Sequence, residues 1–525
     1  MKLSLSADNQ AALSSVVDEL VAAQIASRIA AKDDSLWGKD AQPEASIRLG
    51  WITSAQDSQA LLPQIFALRD EFAASGVTRF VLCGMGGSSL APEVITKNSK
   101  VDLVVLDSTA PDQVASALIH LEKTAVVVSS KSGSTVETDS QKRAFETAFK
   151  AAGIDPTERI VIVTDPGSPL DVASRAAGYK VFNADPNVGG RYSALTAFGL
   201  VPSGLAGVDI SDLLVSAVSA SNLLGSDSAA NPALWLGALL ARSVNGSGFK
   251  DKFLIQSDGL AGFGDWVEQL VAESTGKEDK GILPVVVESS APEISNLPAD
   301  TLLIRFGSEV SGNTDASFHG GLGELFLLWE CATVIAGYLQ GINPFDQPNV
   351  ESAKIAARAL LDSPVGSAEV DFVDGGFSVK SYGFELSGST LNSAVENLLT
   401  LVDDASYISI HAYLNRMAYP QLEALREVLA KRTGRPVTFG WGPRFLHSTG
   451  QYHKGGPKQG VFLQLTSDFA TDLEIEGRPF TFGTLIQAQA AGDANVLKDN
   501  GLPVLTLKVS NPLADLETLK KAIAS

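Results

Sequence analysis

Two spacings of hydrophobic residues alternate along the chain. In the first ~75 residues Leu13, Val16, Val17, Leu20 and Val21 recur at the 3.6-residue interval of an amphipathic helix. Short β-rich runs follow: Phe80-Val-Leu-Cys83, Val101-Asp-Leu-Val-Val-Leu106, Ala125-Val-Val-Val128, Arg159-Ile-Val-Ile-Val163 and Tyr179-Lys-Val-Phe182. Near-continuous apolar runs suit strands covered on both faces, and the helix-compatible sequence between them implies parallel pairing. After a helical linker a second set appears: Phe253-Leu-Ile255, Pro284-Val-Val-Val287, Leu302-Leu-Ile304, Tyr407-Ile-Ser-Ile410, Val437-Thr-Phe439 and Val461-Phe-Leu-Gln-Leu465. The expectation is an α/β protein of two domains, each an open, mainly parallel sheet with helices on both faces. Residues 1–45 form an N-terminal helical segment, 46–210 the first domain, 211–248 the linker, 249–480 the second domain and 481–525 a C-terminal segment. Residues 371–389, polar and Gly-rich, suit a small hairpin.

A length of 525 residues agrees with more than one core, and 45% hydrophobic with 19% charged residues is a globular composition. The most apolar segment, 325–339, is too short to span a bilayer and contains Glu330, so it reads as a buried helix. The N-terminus carries acidic and polar residues where a secretory apolar core would lie, and Cys83 and Cys331 read as buried free thiols. A cytoplasmic protein off the membrane is expected. A formal net charge of −20 argues against nucleic-acid binding. An anionic small molecule is then held only where local amides, hydroxyls and cations overcome the global repulsion.

Two strings supply such donors at strand ends, Gly84-Met-Gly-Gly-Ser-Ser89 and Ser129-Ser-Lys-Ser-Gly-Ser-Thr135. Glycine admits close backbone approach, hydroxyls donate, and helix N-termini present free amides. Neither has the spacing of a P-loop or a dinucleotide fingerprint, which favours a monophosphate and no nucleotide cofactor. The residues picked out for phosphate or substrate are Gly87, Ser88, Ser130, Lys131, Ser132, Ser134 and Thr135. No spacing of cysteines and histidines suggests a metal site.

The 130–135 string resembles the phosphate loop of sugar isomerase (SIS) domains, a family of phosphosugar-binding α/β domains that includes the glucose-6-phosphate isomerases. Three more strings resemble isomerase segments: Asn187-Val-Gly-Gly-Arg-Tyr-Ser-Ala-Leu-Thr196, Gln269-Leu-Val-Ala-Glu-Ser-Thr-Gly-Lys277 and Gly341-Ile-Asn-Pro-Phe-Asp-Gln-Pro-Asn-Val-Glu-Ser-Ala-Lys354. The resemblance implies aldose–ketose isomerisation of glucose 6-phosphate and fructose 6-phosphate through an enediol, in glycolysis and gluconeogenesis. It assigns Glu273 as the proton-transferring base, Arg191 as the cation facing the enediolate and Lys354 as the active-site lysine. Gln269, one turn before Glu273, is placed to bind the phosphate or a sugar hydroxyl. A homodimer is implied by resemblance only.

The family opens the sugar ring with a histidine lying between the glutamate and the lysine. Here that interval holds only His319, in unlike surroundings. The matching string is Leu446-His-Ser-Thr-Gly-Gln-Tyr-His-Lys-Gly-Gly456, beyond Lys354. This order resembles the isomerase half of fused transaldolase–isomerase proteins. His447 is the resulting candidate, with His453 and His319 as alternatives; His120 and His411, in apolar runs, read as structural. A dual glucose-6-phosphate/mannose-6-phosphate isomerase and a non-catalytic sugar-phosphate sensor are the competing functions.

Overall fold

A computed structural model describes residues 1–245, 248–362 and 370–525. Its strands form three principal sheets with helices between them. In the first, Arg79–Gly84, Val104–Leu106, Thr124–Ser129, Ile160–Thr164 and Lys180–Asn183 are all parallel. Arg79–Gly84 lies between Val104–Leu106 and Thr124–Ser129. The chain therefore reverses its direction of travel across the sheet between the strands that precede the two Gly/Ser strings. Open sheets bind ligands at such a switch point, outside the carboxyl ends of the strands.

The open, mainly parallel architecture is the expected one, but the second set of runs does not form one sheet. Lys252–Gln256, Leu283–Val287 and Thr301–Phe306 join Ala316–His319 in the second sheet. Tyr407–Ala412, Val437–Trp441 and Gly460–Thr466 join Val504–Val509 in the third. Apolar β-rich runs report burial on both faces, not which sheet buries them. Two further strands also differ from expectation, Lys2–Leu5 at an edge of the second sheet and Val504–Val509 inside the third. Lys2–Leu5, within the stretch read as helical, pairs antiparallel with Ala316–His319, and Val504–Val509 lies in the segment read as C-terminal to the sheets. The 371–389 region does form a hairpin, Phe372–Asp374 with Phe377–Tyr382, which extends the third sheet antiparallel.

The first and second sheets share one core, built around the helices Ala197–Ala206, Ile210–Leu224, Pro232–Arg242 and Leu322–Gln340. The last is long and apolar enough to cross a membrane, yet Leu325, Phe326, Leu328 and Trp329 are all buried in that core. The other face of the second sheet packs on Tyr407, Phe462 and Val504 of the third. Helix Phe482–Asp499 links the third unit to the first, placing Phe482 and Leu485 against Phe145 and Val128. Cys83 and Cys331 are buried and unpaired.

Charge reinforces this junction. Arg416 and Arg444, following strands of the third sheet, both reach Glu93 and Asp107 of the first unit. Arg416 donates to Glu93 Oε1 at 3.1 Å and Asp107 Oδ1 at 3.0 Å; Arg444 donates to Glu93 Oε2 at 2.8 Å and Asp107 Oδ2 at 3.0 Å. Burial opposes ionisation of Glu93, but Arg444 and Arg416 hold its carboxyl well below the usual carboxylate range. A depressed folded value contributes stability above the unfolded glutamate value of about 4.3, lost as the pH falls through the folded value. Arg416→Met should leave two buried carboxylates short of a partner and cost about 3–5 kcal/mol in urea denaturation at neutral pH. A loss below about 1 kcal/mol, the scale of an exposed pair, would contradict this reading.

Candidate active site

The 130–135 string leaves strand Thr124–Ser129 and enters helix Val136–Ala151 with Thr135 as its first cap. Its hydroxyls are ordered by the loop itself. Ser130 Oγ donates to Thr135 Oγ1 at 3.2 Å and accepts the Gly133 amide at 3.2 Å, and the Ser132 and Ser134 oxygens lie 2.9 Å apart. Gly133 adopts φ +68°, and a Cβ there would come within 2.7 Å of Leu170. Lys131 is turned to an ion pair with Asp165 at 2.5 Å. Its charge is thereby partly committed, leaving hydroxyls and helix amides as the loop's free donors.

The 84–89 string is where three other segments meet. A Cβ on Gly86, whose φ is +53°, would stand 2.4 Å from the His447 carbonyl oxygen and 2.9 Å from Gln269 Nε2. On Gly87 it would stand 2.1 Å from the Gly190 carbonyl oxygen. Only residues without a side chain allow this approach. Ser88 is buried in the turn that follows.

Helix Phe263–Thr275, after the strand Lys252–Gln256, brings in Gln269 and Glu273 on one face. Gln269 Nε2 donates to Glu273 Oε2 at 3.1 Å and to the His447 carbonyl at 2.7 Å. Arg191 Nη1 lies 3.4 Å from Glu273 Oε1. That guanidinium is buried and fixed on its other sides: Nε donates to Ser274 Oγ at 2.8 Å, Nη1 to Gln347 Oε1 at 2.9 Å, and Nη2 to the carbonyls of Pro344 and Asp346. Lys277 is no surface partner of Glu273. Its ammonium donates at 2.6 Å to the Asn343 and Asp346 carbonyls and to Asp346 Oδ1, and burial pushes its pKa down to about 8. Two buried cations thus lock the 343–347 turn, whose Gln347 and carbonyls in turn orient Arg191.

His447 ends the turn Arg444–His447 that follows strand Val437–Trp441. Its Nε2 is 2.9 Å from Glu137 Oε1, in the first turn of the helix after the phosphate-type loop. A proton on Nε2, shared with that carboxylate, leaves Nδ1 as the ring's accepting nitrogen. Through its backbone carbonyl, which accepts from Gln269 Nε2, His447 is the candidate histidine tied to the Gln269–Glu273 pair.

The other histidines lie elsewhere. His453 is buried against Tyr407, 2.9 Å from its hydroxyl, and burial holds its pKa well below the ordinary value. His319 is exposed at the end of its strand, opposite Lys2. His411 is buried with Asp493. His120, read as structural, sits exposed in a turn at φ +54°. Lys354 lies on helix Val350–Asp362, and its side chain is outside the described residues. Among the described residues no group of three His, Cys, Asp or Glu side chains is arranged to hold a metal ion.

Sequence reading missed Glu137, Ser274, Gln347 and Gln489. The signal for Glu137 was its place two residues after Thr135, but acidic residues are common in first turns as partners of the helix dipole. Gln489 donates at 2.7 Å to the same Glu137 oxygen from 352 residues away, and no local pattern announces it.

Residues 70–295 match the family model for phosphoglucose isomerase. Over 337 residues the chain is 28% identical to the "Probable glucose-6-phosphate isomerase" of Haloarcula marismortui, spanning 54% of this chain and 77% of that one. It is 31% identical over 297 residues to the glucose-6-phosphate isomerase of Listeria monocytogenes, spanning 46% of this chain and 66% of that one. Among solved structures, a glucose-6-phosphate isomerase from Chlamydia trachomatis shares the fold, with a TM-score of 0.53 at 19% identity, over 69% of this chain and 86% of that one.

The loop geometry gives a first test. Ser130→Ala combined with Thr135→Ala should weaken inorganic phosphate binding about tenfold or more in calorimetry, since each lost hydrogen bond to a charged group is worth roughly 1.5–3 kcal/mol. Unchanged affinity would move the phosphate site elsewhere.

Proposed function

Because the chain belongs to the phosphoglucose isomerase family, we propose that it interconverts glucose 6-phosphate and fructose 6-phosphate through an enediol at the site around Glu273. The observation that carries this reading is the placement of the Glu273 carboxylate between the Gln269 amide and the immobilised Arg191 guanidinium. Proton transfer between adjacent carbons needs one base within reach of both and a fixed positive charge for the oxygen that becomes anionic.

Each step then has its group. The phosphate rests on the hydroxyls and amides of 130–135, with Gly87 and Ser88 closing the other side. His447, held by Glu137, takes the proton from the O1 hydroxyl and passes it to O5 as the C1–O5 bond breaks, leaving an aldehyde at C1. Glu273 removes the C2 proton, and the electron pair forms the C1–C2 double bond while charge collects on O1. Arg191 balances that charge without giving up a proton. A proton passes between O2 and O1, and Glu273 returns its proton to C1, leaving the ketone at C2. Lys354 is proposed as a further cation of the site on its sequence string alone.

Nothing in the comparisons favours the dual-substrate or sensor alternatives. The proposal includes a cytoplasmic location, which two buried free thiols suit, and a homodimer, carried by resemblance and open to light scattering.

Glu273→Gln tests the reading, because an amide keeps the shape and cannot accept a carbon-bound proton. In a coupled assay with glucose-6-phosphate dehydrogenase, turnover of fructose 6-phosphate should fall by about 10²–10⁴ or more. Binding of fructose 6-phosphate should stay within about tenfold of wild type. Residual activity above a tenth of wild type would remove Glu273 from the role.

A further inference from the structure

We infer that Gln489 is a positioning residue for ring opening, which holds Glu137 in the orientation that fixes the His447 imidazole. The inference rests on the isomerase reading and adds to it a residue from the far end of the chain.

Gln489 lies on helix Phe482–Asp499 and is 3% exposed. Its amide is gripped at both ends. Thr109, fully buried after strand Val104–Leu106, donates its hydroxyl to Gln489 Oε1 at 2.7 Å. Gln489 Nε2 donates to Glu137 Oε1 at 2.7 Å. The opposite amide orientation would set Gln489 Oε1 against a carboxylate oxygen at the same distance, acceptor facing acceptor, whereas a threonine hydroxyl tolerates either. Glu137 therefore decides which way the amide lies, and Thr109 completes it.

The consequence runs from Gln489 to the imidazole. The Glu137 oxygen receiving the amide is the one that lies 2.9 Å from His447 Nε2. Two N–H groups converging on one oxygen concentrate the carboxylate charge there and stop the group rotating, because a turn about its last torsion would break both bonds. A fixed carboxylate holds the proton on Nε2, so the lone pair stays on Nδ1, as a base facing the sugar requires. One helical turn beyond Gln489, Asp493 anchors the same helix. It pairs with Lys454 at 2.6 Å and with His411 at 3.1 Å, both buried. The helix that carries the amide is thus tied to the unit that carries His447, while the amide itself reaches into the first unit.

A buried glutamine that only filled space would affect every step alike; one that orients the ring-opening base should affect one step. The full chain and its Gln489→Leu variant are compared in two assays. Exchange between the α and β anomers of glucose 6-phosphate, followed by NMR magnetisation transfer, needs ring opening and closure but no proton transfer at carbon. Deuterium uptake from solvent at C1 of 5-deoxyfructose 6-phosphate needs Glu273 but no ring opening. That analogue lacks the C5 hydroxyl, and its C6 oxygen carries the phosphate, so it cannot close. Enzyme-dependent anomer exchange should fall about tenfold or more in Gln489→Leu, while deuterium uptake stays within about twofold of wild type. An equal fall in both rates, or a fall in neither, would overturn the inference. Should the leucine variant fail to fold by circular dichroism, Thr109→Val, which removes only the hydroxyl fixing the amide, must show the same split. A wild-type protein inactive in both assays would defeat the isomerase reading itself, whatever the variants do.

Discussion

The place of His447 in the site depends on Arg416 and Arg444 being held by Glu93 and Asp107. These residues lie more than 300 positions apart, and their four carboxylate oxygens and two guanidinium groups join the third sheet to the first. Arg444 is three residues before His447, so the clamp also places the histidine against Gly86 and Glu137. An ion network of this kind is an expensive way to join two surfaces, because each charge must be desolvated. Apolar packing would join them as firmly but would leave the register of the turn freer. Here the bonds from Arg444 to Glu93 and Asp107 anchor the start of the turn that ends at His447.

The same economy of placement governs the rest of the site. Three sheets present their strand ends to one region, and each contributes a different kind of group. The first supplies glycine-rich turns and hydroxyls, the second a helix with a carboxylate and an amide, the third an imidazole. Gln269 links all three, since its one amide nitrogen bonds Glu273 and the His447 carbonyl while lying close to Gly86. Arg191 and Lys277 add stiffness by sharing the 343–347 turn, so the cation facing Glu273 has little freedom to reorient.

What the sequence disclosed follows from the range over which each feature is encoded. The five strands of the first sheet and both loops were legible because strand, turn and helix cap are local. So was the association of Gln269 with Glu273, which needs only the helical repeat. The split of the second strand set was not legible, because Leu302 and Tyr407 belong to equally apolar runs and their partners are chosen by packing. Lys2–Leu5 was hidden because four residues ahead of an amphipathic helix carry too little pattern. Glu137 resembled an ordinary helix-start acid and Gln489 an ordinary buried amide. Their meaning comes from contacts across most of the chain.

The central claim is that one pocket holds the phosphate on the 130–135 loop, the reacting carbons at Glu273 and the ring oxygen's place at His447. A crystal structure with 6-phosphogluconate, an open-chain acid of the same length and charge pattern, tests it most directly. The account predicts the phosphate on the hydroxyls of Ser130 and Thr135, the carboxylate end between Glu273 and Arg191, and the C5 hydroxyl beside the His447 imidazole. A ligand whose phosphate lies away from that loop, or whose C5 hydroxyl meets a group other than His447, would contradict it.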